Sequence, residues 1–238
     1  NFFLIFNSYK KIIILSITAL LISINWTGFI FAVSINRVQD ASMGYFITPM
    51  ISISFGYIFI NEKINYLKFI SVILMLIAII YLIYSLNSFP YMALLIGTSW
   101  AIYGLLRKKI NVPPSVGLLY ECFFISIFSL PYLTYVYIIG SGYFLNYNSY
   151  TSILLILTGA VTLFPLLLFN LGIKHIQLGY AGVLFYLAPS FHFITSIFIL
   201  KEDLQFEKLI AFIIIWIGII IFIYDVIIKE KINVNNTQ

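Results

Sequence analysis

The sequence predicts an all-α integral membrane protein, and three observations predict it. Apolar residues make up 62% of the 238 positions and charged residues only 9%. Soluble domains run near half apolar and a quarter charged, so these few charges could not cover the surface of a soluble protein of this size. The apolar residues fall into eight blocks near the about 20 residues that a helix needs to cross a bilayer. None of the blocks alternates with period two, as the strands of a membrane barrel would. The Ile and Phe content would favour strands in water. In lipid a helix wins, because it pairs all its backbone groups internally.

The eight expected spans are Ile12–Asn36, Ala41–Ile60, Tyr66–Tyr84, Pro90–Leu106, Ser115–Ile139, Thr151–Ile173, Gly179–Leu200 and Lys208–Ile228. The first follows Lys10 and Lys11 and carries Asn25 and Trp26 near its middle. The second contains Pro49 and the third is uniformly apolar. The fourth carries Trp100 and Tyr103 one turn apart and ends at Arg107, Lys108 and Lys109. The polar turn Asn111–Pro114 separates it from the fifth, which holds Glu121, Cys122 and Pro131. The sixth holds Pro165 and Asn170, the seventh Pro189 and His192, and the eighth ends near Asp225. A polar tail follows, cytoplasmic over 229–238. One cysteine excludes an internal disulfide framework and reads as a small apolar packing residue.

The charges report topology. Crossing the membrane alternately puts Lys10, Lys11, Lys63, Lys68, Arg107, Lys108, Lys109, Lys174, Lys229 and Lys231 on one side. Arg37, Lys201 and Lys208 fall on the other, ten of the thirteen basic residues against three. Positive charge marks the cytoplasmic face, so the C-terminus is expected there, in a cytoplasmic (inner) membrane. The clustering between apolar blocks reads as topology and not as a nucleic-acid surface.

An internal repeat is visible. Pro49 is followed thirteen residues later by Glu62, then by Lys68 and Tyr84. Pro189, Glu202, Lys208 and Tyr224 repeat that pattern, with Gly44 and Gly182 upstream. The two Pro-containing spans cross in opposite directions, so the copies are inverted, an arrangement common in secondary transporters. The second copy covers 90–228 with five spans, and the first covers 1–85 with three. An inverted-repeat transporter bundle with eight of an expected ten transmembrane helices follows. Asn1 to Phe6 reads as the tail of an apolar segment, so the expectation is a chain truncated at its N-terminus, with no signal peptide.

The run SINWTGFIFAVSINRVQDASMGYFITP, Ser23 to Pro49, resembles the EamA branch of the drug/metabolite transporter superfamily, most closely its RarD-type permeases. SWAIYGLLRKK at Ser99–Lys109, LLYE at Leu118–Glu121, and GVLFYLAP at Gly182–Pro189 with Lys201 and Glu202 also match. The resemblance covers nearly the whole chain. It implies ten helices in two inverted five-helix repeats, cytoplasmic termini and a small-molecule permease. Members are commonly labelled chloramphenicol-sensitivity proteins.

Candidate pathway residues follow from polarity at depth. Glu121 is the sharpest, because an acid at the centre of a span costs on the order of 3 kcal/mol to insert and usually faces a cavity or a partner. It reads as a proton-coupling carboxylate or a ligand for a cationic substrate, against a structural acid that snorkels or bonds a helix. Asn25 either binds substrate or bonds a neighbouring helix. Trp26, Trp100 and Tyr103 either offer stacking surfaces or pack. His192 either relays protons or packs as a neutral imidazole, and Asn170 could share a vestibule with Glu121. Pro49, Pro165 and Pro189 are candidate helix breaks that expose backbone groups to a pathway, or static kinks. Asp225 and Arg107–Lys109 read as markers of the membrane boundary. Glu62 and Glu202, just past their span ends, read as helix-end or loop-lysine partners.

No phosphate loop, metal-spaced set or catalytic triad is present, so no cofactor or metal is expected and active transport would be gradient-driven. The expected partners are a small-molecule substrate, the lipid bilayer and protons as candidate coupling ion. No nucleic acid is expected, and a homodimer is a candidate assembly. A secondary transporter or exporter of a metabolite or drug leads. A flippase for a lipid-linked substrate would need basic residues inside the bundle, and the spans place theirs at the ends. An intramembrane enzyme would need convergent reactive groups, with Glu121 and His192 as its one candidate pair.

Overall fold

In the computed structural model, which describes residues 5–35, 38–86, 91–198 and 206–235, every regular element is a helix. In chain order these are α1 (Tyr9–Ser34), α2 (Val38–Ile60), α3 (Tyr66–Leu86), α4 (Tyr91–Lys109), α5 (Pro114–Ile138), α6 (Ser149–His175), α7 (Leu178–Leu184), α8 (Leu187–Phe198) and α9 (Phe206–Asn235). Among the described residues, five stretches are long and apolar enough to cross a membrane: Tyr9–Ser34, Tyr66–Ser85, Pro114–Ile138, Ser149–His175 and Leu209–Ile228. The apolar part of α2, Gly44–Ile60, is shorter.

The helix ends follow local chemistry. Pro114 opens α5 at a position where a missing N–H costs nothing. Asn148 caps α6, its side-chain oxygen accepting from Thr151 N at 2.6 Å. Gly140, at φ 69°, closes the end of α5 in the left-handed region that favours glycine. Asn61 takes the same region at φ 58° to end α2, with Glu62 N donating back to Gly56 O at 2.9 Å.

The expected span Gly179–Leu200 departs from a single helix. It is broken at Phe185–Tyr186 into α7 and α8. Pro189 explains the position, because it has no N–H to offer the carbonyl four residues earlier, at Phe185. Phe185 O accepts instead from Ala188 N at 3.1 Å, a tighter turn. By contrast α2 runs continuously through Pro49 and α6 through Pro165, whose side chain is exposed. The Pro189 side chain lies outside the described residues.

Helix starts recur at a constant spacing. Tyr9 and Ser149, Val38 and Leu178, and Tyr66 and Phe206 are each 140 positions apart (149 − 9, 178 − 38, 206 − 66). Pro49 and Pro189, Glu62 and Glu202, and Lys68 and Lys208 share that offset.

The chain divides into two compact units. One comprises Leu106–Ile176 with the start of the chain up to Ser23, and the other Ile24–Leu105 with Gln177–Gln238. In the first, Ile5, Leu15, Ile110, Val112 and Tyr120 form a buried cluster, and α5 packs on α6. In the second, α3 packs along α9 and α2 along α7, around Phe46, Ile47, Met75, Ile79, Tyr186, Phe212 and Ile215. Glycines set the close approaches there. A Cβ on Gly182 would lie 3.1 Å from the Cα of Pro49, and one on Gly97 would lie 2.7 Å from Gly44 O. Large apolar side chains remain exposed along α5 and α6, among them Phe123, Phe128, Ile156 and Phe164, the surface that lipid would cover.

Candidate functional site

The first unit holds a buried polar cluster built from four helices. Arg107 from the end of α4 is 0% exposed, and Glu121 from α5 and Asn170 from α6 are each 1% exposed. Thr18 from α1 is fully buried beside them. The Thr18 hydroxyl donates to Glu121 Oε1 at 2.6 Å, and Leu15 O lies within its reach at 2.9 Å. Arg107 Nε donates to Asn170 Oδ1 at 2.9 Å, and its Nη2 donates to Pro114 O at 2.8 Å. Asn170 Nδ2 is held by Leu166 O at 3.0 Å. Arg107 Nε stands 3.6 Å from Glu121 Oε1, an ion pair of opposite charges that is longer than a hydrogen bond. Arg107 Nη1 is buried and has no hydrogen-bond partner among the described residues.

Local sequence explains the cluster. The short turn Ile110–Pro113 brings the end of α4 beside the start of α5. Gly117 makes room for the guanidinium, since a Cβ there would lie 1.8 Å from Arg107 Nη1. Arg107 therefore joins Glu121 and Asn170, both candidates from the sequence, through a residue that sequence reasoning assigned to the membrane boundary. Arg107 does stand in the last turn of α4, at a span end as read, but its side chain is buried against Glu121 instead of facing solvent. The missed signal was the need of a buried acid for a counter-charge. Of the three cations before the turn, Arg107 is the one that pairs with it.

The second unit holds the other candidates. Asn25 is 1% exposed, and its Nδ2 donates to Ile96 O at 2.7 Å and to Ser99 Oγ at 3.1 Å. Trp26 beside it is half-buried. Trp100 meets Tyr103 at 5.7 Å between ring centroids and Phe185, at the helix break, edge-on at 5.1 Å. The His192 side chain, Lys201 and Glu202 lie outside the described residues. This unit also holds Glu62, read from the sequence as a helix-end or loop-lysine partner, Lys68, and Asp225, read as a boundary marker. Glu62 caps α7, its carboxylate accepting from Leu178 N at 2.6 Å and from Gly179 N at 3.3 Å. Lys68 is buried, donates to Gln177 Oε1 at 3.1 Å, and stands 4.6 Å from the ring centre of Tyr180, a cation–π geometry. Asp225 is also buried and accepts from Asn65.

An apolar helical chain with a buried ion pair and a helix broken ahead of a proline is in keeping with a membrane transporter. The model of the EamA-like transporter family matches residues 89–224.

The chain belongs to the EamA-like transporter family.

Among curated relatives, the chain is 34% identical to the "Uncharacterized transporter YojE" of Bacillus subtilis, over 92% of this chain and 74% of that protein. It is 32% identical to "Protein RarD" of Escherichia coli, over 93% of this chain and 75% of that one. An "Uncharacterized transporter" of Vibrio cholerae is 32% identical over 91% and 72%. This EamA-like chain is thus a multi-pass membrane protein of the RarD type. The family match spans both the Trp100 cluster and the Arg107–Glu121 cluster.

Proposed function

We propose that the chain moves a small organic molecule across the cytoplasmic membrane by gradient-driven secondary transport, with protons as coupling ion and Glu121 as their carrier. The observation that carries this is the Thr18–Glu121 contact of 2.6 Å inside an apolar helix set. A hydroxyl has one hydrogen and two lone pairs. When Glu121 is ionised, Thr18 donates to it. When Glu121 is protonated, it donates to the Thr18 oxygen, and the hydroxyl hydrogen turns to Leu15 O at 2.9 Å. The same heavy-atom positions serve both protonation states, so a proton can come and go without repacking.

The architecture in this reading is a ten-helix inverted repeat, with 1–85 and 90–228 as the parts present and the C-terminus cytoplasmic. Three helix starts at a spacing of 140 support it, as does the packing of α2 on α7 and of α3 on α9, each a pair at that spacing. Asn25, Trp26, Trp100, Tyr103 and His192 would line the substrate route, and the α7–α8 break would open backbone groups to it.

The test is flux in proteoliposomes under an imposed pH gradient. Glu121→Gln is expected to abolish pH-driven flux. Flux in that variant that still responds to the gradient would sink the coupling role. A flippase for a lipid-linked substrate is the second reading, because the buried Arg107 guanidinium is the cation such a substrate would need.

A further inference from the structure

We infer that Arg107 is the receptor for an oxyanion, a carboxylate or phosphate borne by the transported molecule; this rests on the transport reading above. The guanidinium presents five N–H donors and cannot lose its charge. Its Nε is used by Asn170 and its Nη2 by Pro114 O, while Nη1 is buried with no partner among the described residues. Leaving a buried charged donor unmet is costly. Such a group in a native structure calls for an explanation, and a bound ion is one.

Glu121 does not meet that need. Its Oε1 takes the Thr18 hydroxyl at 2.6 Å and stands 3.6 Å from Arg107 Nε, whose hydrogen goes to Asn170. The acid supplies neutralising charge without the two parallel N–H···O bonds that a carboxylate or phosphate makes with arginine.

The local charge balance points the same way. The charged and titratable groups around Arg107 and Glu121 are Lys108 from α4, Lys174 from α6, and Cys122 next to Glu121 on α5; α1 contributes the uncharged Thr18. Among the described residues, Arg107, Lys108 and Lys174 stand near the one acid Glu121. Lys108 and Lys174 are each turned toward helix-end carbonyls. With Glu121 ionised, the guanidinium already faces one anion. A proton on Glu121 releases it, so the oxyanion and the proton bind together. The structure thereby couples substrate and ion through one guanidinium.

The test uses the purified chain in neutral detergent micelles at fixed ionic strength, with chloride as reference. Benzoate, inorganic phosphate and short-chain phosphatidic acid are the probes, and the unfolding temperature is the readout. At least one is expected to raise it saturably, and which one separates a carboxylate, a free phosphate and a lipid headgroup. Arg107→Lys keeps the charge but loses the fork, and is expected to weaken that response at least tenfold. Asn170→Asp is nearly isosteric and sets a second anion on Arg107 Nε, which lowers the positive charge left for a ligand, so it too should weaken the response. Glu121→Gln imitates the protonated acid and is expected to tighten probe binding about tenfold while pH-driven flux is lost. No response of the wild type to any probe would overturn the oxyanion receptor, as would unchanged binding in Arg107→Lys and Asn170→Asp. Neither result touches the pH-driven flux, which stands or falls by the proteoliposome test.

Discussion

Lys108 and Lys174 each close the other's helix. Lys108, in the last turn of α4, donates to Ile173 O at 2.9 Å and to Ile176 O at the end of α6. Lys174, in the last turn of α6, donates to Ile110 O and to Lys108 O at 3.4 Å at the end of α4. Carbonyls at a helix C-terminus have no intrahelical partner and carry partial negative charge, so cations there satisfy both needs. The same exchange holds two like charges together with Arg107.

That geometry predicts an unusual double-mutant cycle. Lys108→Met or Lys174→Met loses one set of caps but also relieves the repulsion between the two ammoniums. Each single change should cost about 1 kcal/mol. The double change loses both sets and gains the relief only once, so its cost should exceed the sum of the singles by about 0.5 kcal/mol. Thermal unfolding in micelles checks this. A double mutant that costs no more than the sum would mean that the two charges do not repel.

Gly117 and Gly172 predict opposite results for one substitution. A Cβ on Gly117 would collide with Arg107 Nη1 at 1.8 Å, and the guanidinium is enclosed. Gly117→Ala should therefore push the buried cation off its partners and cost about 3 kcal/mol or more. At Gly172, on α6, nothing lies within 4 Å of the added carbon. Gly172→Ala should be neutral or stabilising by up to about 1 kcal/mol, from helix propensity alone. Equal unfolding temperatures for the two variants would contradict the position of Arg107.

The helices were largely legible because lipid leaves the backbone few choices. Apolar blocks, Pro114 at a helix start and Asn148 as a cap each have a local cause. Pro189 signalled a break, but its effect falls four residues upstream, where the carbonyl loses its donor. The charges were harder. Arg107, Lys68 and Asp225 sit at the ends of apolar blocks, where a charge is normally solvated, so position along the chain says boundary. Whether such a side chain turns inward depends on a partner across a turn or on another helix. Glu121 for Arg107 and Asn65 for Asp225 are such partners, and only the packing reveals them. Glu62 was better placed for reading, because just past a span end an acid has few roles besides a helix end or a lysine. The structure gives it the helix end.

Glu62 supports a graded prediction. Its two oxygens hold two backbone donors at the start of α7, a helix of 7 residues with little stability of its own. Glu62→Ala removes both bonds and the charge, and should cost about 1–2 kcal/mol. Glu62→Gln keeps one acceptor and loses the charge, so it should fall between alanine and the wild type. Amide hydrogen exchange at Leu178 and Gly179 reads this directly. Protection there should fall in the order wild type, Gln, Ala. Equal protection in all three would remove Glu62 as the cap.

Thr18 separates a proton carrier from a merely buried acid. If Glu121 only balances Arg107, Thr18 contributes one hydrogen bond, and Thr18→Val should cost about 1–3 kcal/mol of stability with the pH profile of flux unchanged. If Glu121 gains and loses a proton during transport, Thr18 is its partner in both states: donor to the carboxylate at 2.6 Å, acceptor from the acid, with Leu15 O at 2.9 Å taking the released hydrogen. Thr18→Val then removes both arrangements. It should reduce pH-driven flux about tenfold and displace the pH profile, one decade of rate being about 1.4 kcal/mol. Thr18→Ser keeps the hydroxyl and should restore both the rate and the profile. Flux in proteoliposomes measured across a series of pH values decides between them, since a purely structural threonine would alter the amount of folded protein and leave the shape of the profile where it was.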